Sequence, residues 1–247
     1  MNLDLSGKKV LVTGASKGIG AATARLLSCE GCDVVIVSRS LDDLQKTADQ
    51  IAEKTSRRVV VCAADLSQSS EIMRVAKQYG DIDILVNNAG AIPGGRLEDI
   101  DESTWRAAWD LKVFGYINLT REIFKQMSAR GSGTIVNVIG AAAQMRDPSY
   151  ICGVVGNAAL TAFTMSLGSD SHRVGVRVVG ISPGPVATER LHGLQGSVQS
   201  SSARPFGRAA EPTEIASAVA FLASPRSGYT SGTVLMVDGG LSARAAA

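Results

Sequence analysis

Three glycines near the start of the chain have the spacing of a phosphate-binding turn. Gly14, Gly18 and Gly20 lie in the run 13–20, directly after an apolar β-branched stretch and directly before a helical pattern. In such a turn the first glycine permits a tight bend, the second lets the backbone approach a phosphate, and the third lets the helix pack closely on the sheet. Free N–H groups at the start of the helix then favour an anion. The spacing predicts a dinucleotide site at 13–20.

Two cations close to this turn indicate which dinucleotide is bound. Lys17 lies inside the turn, and Arg39 lies where the second apolar stretch ends. An acidic residue at the position of Arg39 would bind the ribose 2′-hydroxyl of NAD, whereas a guanidinium suits the 2′-phosphate of NADP. The alternative is that both are solvated surface cations. The sequence therefore favours NADP(H) over NAD(H) as the cofactor.

The elements that must position these residues are strands and helices in regular alternation. Strands are predicted at 9–13, 33–37, 58–62, 82–86, 134–138, 176–181 and 233–237, and helices near 18–30, 41–55, 68–79, 103–129, 150–171 and 212–223. Nearly continuous apolar strands are typical of a parallel sheet that is covered on both faces. We expect an α/β fold, with a Rossmann-like doubly wound sheet of about seven parallel strands and helices on both faces. A single domain spanning 1–247 is expected.

Four short motifs occur in one order along the chain. They are T-G-x-x-x-G-I-G at 13–20, N-N-A-G at 87–90, S-P-G at 182–184 with Thr188 after it, and V-D-G-G at 237–240. On these motifs the chain resembles the short-chain dehydrogenase/reductase family over almost its whole length. The resemblance implies hydride transfer between a nicotinamide cofactor and a small carbonyl or alcohol substrate.

The resemblance also assigns the cofactor to particular positions. Asp65 follows the third predicted strand, where the family positions the adenine. The expected cofactor-binding residues are Gly14, Ser16, Lys17, Gly18, Ile19, Gly20, Arg39, Asp65, Leu66, Asn88, Ala89, Gly90, Asn157, Pro183, Gly184 and Thr188.

Four positions that carry the chemistry in the family hold other residues here. The family's Ser, Tyr and Lys correspond to Gly140, Gly153 and Asn157, and the Asn of the preceding long helix corresponds to Lys112. In the family the Tyr phenol protonates the alkoxide, the Lys lowers the phenol's pKa and holds the ribose, and the Ser polarises the carbonyl. The resemblance therefore implies an atypical active site.

Relocated groups could restore this chemistry. Tyr150 lies three residues before Gly153, which on a helix is about 300° of rotation and ~4.5 Å of rise, so its phenol could lie near the original position. Lys112 could supply the missing cation from the facing helix. Tyr150, Lys112 and Asn157 are the candidate catalytic residues. The alternative is that Tyr150 only packs at the start of the helix.

Three further features concern the substrate. Gly153 and Gly156 leave one helix face without side chains, which would enlarge the pocket for a bulky ligand. Arg146 could pair with a substrate carboxylate, or be a solvated loop charge. The segment 192–203 is rich in Ser, Gly and Gln, and we expect it to form a mobile lid over the site, although an ordinary surface loop is the alternative.

Composition argues against several classes of partner. The net charge is +2 and aromatic residues make up 4%, so neither nucleic acid nor an anionic membrane is expected as a partner. The apolar runs fall short of the ~20 residues that span a bilayer. No group of His, Cys, Asp and Glu residues has the spacing of metal ligands. The four cysteines form no framework of disulfide pairs and no secretory segment is recognised, so we expect a reducing cytoplasm. Helices near 103–129 and 150–171 form the subunit contact in the family, which implies a homodimer or homotetramer.

Three functions stay open from the sequence. The first is an NADP(H)-dependent oxidoreductase with relocated catalytic groups. The second is a non-redox enzyme on the same fold. The third is a catalytically silent protein that binds NADP(H) for regulation.

Overall fold

Seven parallel strands form one sheet in the computed structural model, which describes residues 2–55, 57–193 and 204–244. The strand order is β3-β2-β1-β4-β5-β6-β7. The strands are β1 (Lys9–Thr13), β2 (Asp33–Ser38), β3 (Val60–Ala63), β4 (Ile84–Asn87), β5 (Gly133–Val138), β6 (Val176–Pro183) and β7 (Val234–Val237). Each overlaps a predicted strand, so the predicted doubly wound parallel sheet is confirmed.

Helices cover both faces of this sheet. They are α1 (Gly18–Cys29), α2 (Leu41–Thr55), α3 (Ser69–Gln78), α4 (Glu102–Trp109), α5 (Gly115–Arg130), α6 (Ala142–Met145), α7 (Ile151–Asp170), α8 (Glu189–Gly193), α9 (Pro212–Ala223) and α10 (Leu241–Arg244). The short helices α6, α8 and α10 were not predicted, because four or five residues are too few to show a helical period.

The predicted helix 103–129 is interrupted near its middle. A π-helical turn, Asp110–Phe114, joins α4 to α5, and the Gly115 N–H donates to the Asp110 carbonyl across it. Such turns insert one extra residue into a helix and rotate the side chains that follow, and they are frequent at functional sites. Lys112 lies within this turn.

The two faces of the sheet form separate apolar layers. Val12 and Ile36 pack on one face with residues of α1, α2 and α9, while Leu11 and Leu85 pack on the other with residues of α3 and α5. Alternate side chains along each strand therefore enter opposite cores, which explains the nearly continuous apolar strands.

Helix α7 runs along the second face and is strongly apolar. The segment Ile151–Val174 contains an 18-residue window with a mean hydropathy of 1.5, so by length and composition alone it could cross a bilayer. The expectation that apolar runs fall short of that length is therefore wrong. However, α7 packs against β6, and Cys152, Leu160 and Thr164 on it are buried, as in the core helix of an α/β domain.

Strands β1 and β4 are neighbours in the middle of the sheet. The chain adds strands outward on one side from β1 to β3 and on the other side from β4 to β7, so the direction of winding reverses between β1 and β4. In open α/β sheets, ligands bind beyond the carboxyl ends of strands at such a reversal. The segments that follow β1, β4, β5 and β6 meet there and form the site described next. Of the expected lid, residues 194–203 lie outside the described residues, as does the side chain of His192.

Candidate active site

The glycine turn closes over the carboxyl end of β1. Gly14 has a φ of +63°, and a Cβ there would lie 2.7 Å from Ala89 Cα. Gly18 has a φ of +58°, and a Cβ there would lie 3.2 Å from Thr188 Cγ2. Side chains would be strained at both positions. The glycines therefore leave a cradle in which backbone N–H groups can approach a phosphate.

Neighbouring segments hold this turn in place. The Asn88 side-chain amide donates to the carbonyl oxygens of Thr13 and Gly14, at 3.0 and 3.1 Å. The Thr47 hydroxyl on α2 donates to the Ser16 carbonyl at 2.9 Å. These hydrogen bonds therefore hold the backbone of the turn in one conformation.

A cleft of about 2290 Å³ runs along the carboxyl ends of the strands. Pockets for single drug-sized ligands are roughly 300–1,000 Å³, so this cleft has room for a dinucleotide together with a substrate. The expected cofactor-binding residues that line it are Gly14, Ser16, Lys17, Gly18, Ile19, Arg39, Asp65, Leu66, Asn88, Ala89, Gly90, Asn157, Pro183, Gly184 and Thr188. Gly20 is not among the lining residues, and a Cβ there would overlap the Gly14 carbonyl, so its role is to let α1 pack beneath the turn.

Two of the expected cofactor-binding residues that line the cleft are cations. Arg39 is exposed at the end of β2, and Lys17 donates to Glu189 at 2.9 Å across the mouth of the cleft. This hydrogen bond and the Glu189 charge raise the pKa of Lys17. Both partners are largely exposed, so the pair is weak and a phosphate can compete for Lys17. Asp65 accepts from the Ser67 N–H and hydroxyl, which fixes its carboxylate at the cleft wall.

Lys112 projects from the π-helical turn into the cleft. Its ammonium donates to the Ile139 carbonyl at 2.6 Å, and a Cβ at Gly90 would lie 2.9 Å from its Cδ. Burial of the ammonium, with a smaller contribution from the Arg190 charge, lowers the pKa of Lys112 to about 7. Lys112 is therefore close to the balance between its charged and neutral forms at neutral pH.

Tyr150 lies directly before α7 and its ring covers Gly153. A Cβ at Gly153 would overlap the Cε1, Cζ and Cδ1 atoms of that ring. The Tyr150 hydroxyl accepts a hydrogen bond from Arg190 Nη2 at 3.1 Å. The ring therefore stands where the first atoms of a side chain at 153 would be, with its hydroxyl beside a cation.

Arg190 is a site residue that the sequence analysis missed. Besides Tyr150, its guanidinium donates to the carbonyl oxygens of Gly90 at 2.7 Å and Ile92 at 2.9 Å. It lies on α8, two residues after Thr188, and this proximity to a recognised motif was the available signal. An arginine on a short helix has no periodic pattern to mark it.

The structure does not show the predicted contact between Tyr150 and Lys112. The group that contacts the phenol oxygen is Arg190, whereas Lys112 contacts the Ile139 carbonyl. Both cations nevertheless line the same cleft. The phenol thus has a cationic neighbour, contributed by α8 and not by the facing helix.

Asn157 fills the space beside Gly140. It is 3% exposed, and a Cβ at Gly140 would lie 2.9 Å from its Nδ2 atom. Among the described residues its Oδ1 atom has no hydrogen-bond partner. An orphaned buried oxygen costs about 1–3 kcal/mol unless a ligand satisfies it. A ribose hydroxyl would be a suitable donor, so Asn157 fits the expected nucleotide.

The expected enlargement of the pocket at the two helix glycines is not found. The Tyr150 ring takes the space at Gly153, and Gly156 faces Val113 and Trp109. Side chains from neighbouring elements therefore fill the volume that the glycines leave.

Two other residues, Arg146 and Cys152, are further candidates for a role in the site. Arg146 is exposed at the left-handed residue that ends α6, with a φ of +53°, and it lines the cleft. Cys152 is fully buried, and burial raises the pKa of its thiol, so it is a poor nucleophile. No cluster of three His, Cys, Asp or Glu side chains suited to a metal ion occurs in the described part of the chain.

Comparison with known proteins places this geometry in a family. Residues 14–242 match the family model described as enoyl-(acyl carrier protein) reductase. The chain is 37% identical to cis-4-hydroxycyclohexanecarboxylate dehydrogenase of Sinomonas cyclohexanicum, over 94% of this chain and 96% of that protein. It is 31% identical to a 3-oxoacyl-(acyl-carrier-protein) reductase of Chlamydia muridarum, over 98% of this chain and 100% of that protein.

Solved structures agree. A short chain dehydrogenase/reductase family protein superimposes with a TM-score of 0.90 at 37% identity, covering 98% of this chain and 100% of its own. L-sorbose reductase from Gluconobacter frateurii, solved with NADPH and L-sorbose, superimposes with a TM-score of 0.88 at 31% identity, covering 98% of both chains. The glycine cradle, the sheet order and these matches together show that the chain belongs to the short-chain dehydrogenase/reductase family of oxidoreductases.

Proposed function

We propose that this protein is an NADP(H)-dependent oxidoreductase that interconverts a small carbonyl compound and its alcohol, with Tyr150 as the proton donor. The observation that carries the proposal is the Tyr150 hydroxyl, which lies in the cofactor cleft and accepts a hydrogen bond from Arg190. The relatives support the reaction class, because their names describe reductases and a dehydrogenase that act on carbonyl or hydroxyl groups.

The residues of the cleft are suited to hold NADP(H). The glycine turn offers backbone N–H groups to the pyrophosphate, and the orphaned Asn157 Oδ1 can accept from a ribose hydroxyl. Arg39 and Lys17 supply positive charge for a 2′-phosphate, which supports NADP(H) over NAD(H). The L-sorbose reductase structure was solved with NADPH, which supports the same choice.

The chemistry needs one hydride and one proton. Bound NADPH supplies the hydride to the substrate's carbonyl carbon. The phenol oxygen of Tyr150 accepts from Arg190, which leaves the phenol's own hydrogen available for the substrate oxygen. Proton transfer to that oxygen leaves a phenolate, and the adjacent guanidinium stabilises the negative charge. In the oxidative direction the phenolate takes the proton back.

Lys112 has a supporting role in this proposal. One N–H of its ammonium is directed to the Ile139 carbonyl, next to Gly140, where the family carries its carbonyl-polarising Ser. A cation there favours negative charge on the substrate oxygen. Because the pKa of Lys112 is lowered to about 7, this contribution weakens as the pH rises above that value.

Deuterium transfer tests the function directly. Purified protein is mixed in single turnover with NADPH labelled at C4 with deuterium, in both stereochemical forms, and with 4-oxocyclohexanecarboxylate, a 3-oxoacyl thioester and L-sorbose. We expect deuterium to appear at the carbinol carbon of at least one alcohol product, from one of the two labelled forms only. Calorimetry beside it establishes that NADPH binds, and more tightly than NADH.

A second candidate is a silent NADP(H)-binding protein. Gly140, Gly153 and Asn157, at the positions of the family's Ser, Tyr and Lys, favour it. Tight NADPH binding without deuterium transfer to any of the three compounds would support this candidate over the enzyme.

Location and assembly are part of the same proposal. The four cysteines are free thiols, which suits the reducing cytoplasm. A homodimer or homotetramer through α5 and α7 would cover the exposed apolar side chains of Phe114, Val155 and Met165. Light scattering on the purified protein tests this assembly, and a monomer at micromolar concentration would contradict it.

A further inference from the structure

The geometry points to a substrate that carries a carboxylate, bound by Arg190 with Lys112 as the second cation. This inference rests on the proposed function and deepens it, because it names the substrate class of the same cleft. It depends on two cations that face one cavity without an acidic partner among the residues described.

The Arg190 guanidinium has more hydrogen-bond donors than the described acceptors use. A guanidinium carries five N–H groups. Three of them are directed to neutral acceptors, namely the Gly90 and Ile92 carbonyls and the Tyr150 hydroxyl. These bonds fix the guanidinium in place, and none of these described acceptors carries a negative charge. A fixed, half-buried cation with unused donors is prepared for an anionic ligand.

Lys112 lies in the same cleft, and its partner among the described residues is also a neutral acceptor. Its ammonium donates to the Ile139 carbonyl, which is neutral, and can make two further hydrogen bonds. Within the described ranges, neither Lys112 nor Arg190 forms an ion pair with Asp or Glu. Burial lowers the pKa of Lys112 most, and the Arg190 charge lowers it further, as expected for like charges that share a site.

The acidic side chains that line the cleft nearby are engaged elsewhere or face solvent. Glu189 pairs with Lys17, and Asp147 accepts from the Ser149 hydroxyl at 2.6 Å. Asp110 is exposed on the π-helical turn. Within the part of the chain that the structure describes, no carboxylate therefore neutralises the two cations.

The nucleotide's phosphates are expected at the glycine turn, 13–20, whereas the Arg190 guanidinium donates to Gly90, Ile92 and Tyr150. A substrate beside Tyr150 would bring its own anion directly to this guanidinium. A carboxylate has two oxygens, so it offers one acceptor to Arg190 and one to Lys112. Its single negative charge does not exceed the positive charge of the two side chains.

Paired probes of equal shape test the inference by binding alone. Benzoate and benzamide are titrated calorimetrically into the protein, both without nucleotide and saturated with NADP⁺. We expect benzoate to bind at least about tenfold more tightly than benzamide, because hydrogen bonds between charged partners are roughly twice as strong as bonds between neutral ones. Equal affinities for the two probes would overturn the inference.

Variants locate the site. Arg190→Met should remove most of benzoate's advantage while benzamide changes less than about twofold, and Lys112→Met should reduce it in part. Arg173→Met is the matched control, since Arg173 is an exposed arginine at the far end of α7 that pairs with Asp170, and it should retain the full advantage. An advantage that survives Arg190→Met would place the anion elsewhere and refute the assignment.

Salt provides a measurement on the unaltered protein. Raising NaCl from about 50 to 500 mM should shrink benzoate's advantage severalfold, because salt screens charge attraction, and should leave benzamide unaffected. An advantage independent of salt would contradict ion pairing, whether or not the variants fold.

Failure of this inference and failure of the proposed function give different results. Deuterium transfer to an uncharged ketone, with no advantage for benzoate, would refute the carboxylate site and leave the oxidoreductase intact. Selective binding of benzoate that depends on Arg190, in a protein that does not bind NADPH, would confirm the anion site and refute the proposed function.

Discussion

The ring of Tyr150 covers the α-carbon of Gly153, in the space that a side chain at position 153 would occupy. This relationship holds a phenol in the cofactor cleft although the position itself carries no side chain. The hydroxyl of Tyr150 is then fixed by Arg190 at 3.1 Å, so the phenol is supported on both its face and its oxygen. The lack of a side chain at 153 is therefore a requirement of this arrangement.

A methyl group at position 153 should displace the phenol. In Gly153→Ala the new Cβ overlaps the Tyr150 ring, so we expect the ring to leave and the hydrogen bond to Arg190 to break. Overpacking of this kind costs about 1–3 kcal/mol of unfolding free energy, measured by urea denaturation. Because the phenol is displaced from the cleft, kcat should fall as well.

Gly156→Ala is the matched control for this substitution. It lies on the same helix, and its Cβ would lie 3.3 Å from Val113 Cγ2, a contact that a small shift relieves. The gain in helix propensity, up to ~1 kcal/mol, is the same for both variants. Gly156→Ala should stay near the wild-type stability, and equal losses in the two variants would argue against displacement of the ring.

Removing the phenol oxygen tests the proton donor. Tyr150→Phe keeps the ring on Gly153 but loses the hydroxyl, and general acid catalysis contributes typically 10²–10⁴-fold, so kcat should fall by roughly that factor. The dissociation constant for NADPH should change less than about twofold, since the hydroxyl is assigned to the substrate. Tyr229→Phe, at a fully exposed tyrosine, is the control. Full turnover by Tyr150→Phe would eliminate Tyr150 as the proton donor.

Lys112 should make stability depend on pH in a recognisable way. The pKa of Lys112 is about 7 in the folded protein and near 10.5 in the unfolded chain. Between these pH values the unfolded state binds more protons, so the free energy of unfolding rises with pH. The cost of holding the charged lysine, about 5 kcal/mol, is complete below pH 7 and relieved toward pH 10.5.

Lys112→Met removes that dependence. We expect the free energy of unfolding of the variant minus that of wild type to be highest near pH 6 and to decline steadily up to pH 10. Loss of the hydrogen bond to Ile139 adds a constant decrease at every pH and does not change this slope. Urea denaturation at several pH values measures the difference. Lys125→Met, at an exposed lysine on α5, should give a difference that does not vary with pH in this range. A flat profile for Lys112→Met as well would show that the lysine is not perturbed.

Arg39 should decide between the two nucleotides. Arg39→Asp places a negative charge where the 2′-phosphate is expected, so NADPH binding should weaken by roughly 10- to 100-fold while NADH changes little. Calorimetric titration of both nucleotides measures this, with Arg173→Asp as the control for net charge. Equal weakening of NADPH and NADH would refute the role of Arg39.

The pair between Lys17 and Glu189 should compete with the 2′-phosphate. Glu189→Gln frees the Lys17 ammonium from its partner at 2.9 Å, so NADPH should bind more tightly. Exposed ion pairs are worth about 0–1 kcal/mol, which limits the gain to roughly fivefold, and the gain should vanish in high salt. NADH affinity should not change. Glu98→Gln, at an exposed pair with Arg96, is the control, and weaker NADPH binding by Glu189→Gln would contradict the competition.

The sequence by itself determined the sheet, most of its long helices and the glycine turn. These features depend on neighbours in the chain: apolar β-branched runs form strands, and Gly14 and Gly18 adopt positive φ angles where an L side chain would be strained. The order of the motifs also determined the family. Such signals are local, or repeat along the chain, and so they can be recognised without coordinates.

Only the tertiary structure decided how the site is completed. Arg190 reaches Tyr150 across 40 positions and Gly90 across 100, and Lys17 reaches Glu189 across 172. No periodicity marks such contacts, because they arise where the ends of different strands meet. Likewise, the cation beside the phenol comes from α8 because packing brings that short helix over the cleft, whereas the sequence could only offer Lys112 from the facing helix. Strands and helices form from interactions between residues that are close in the sequence. The contacts of a charged side chain in the cleft depend on residues that only the folded chain brings together.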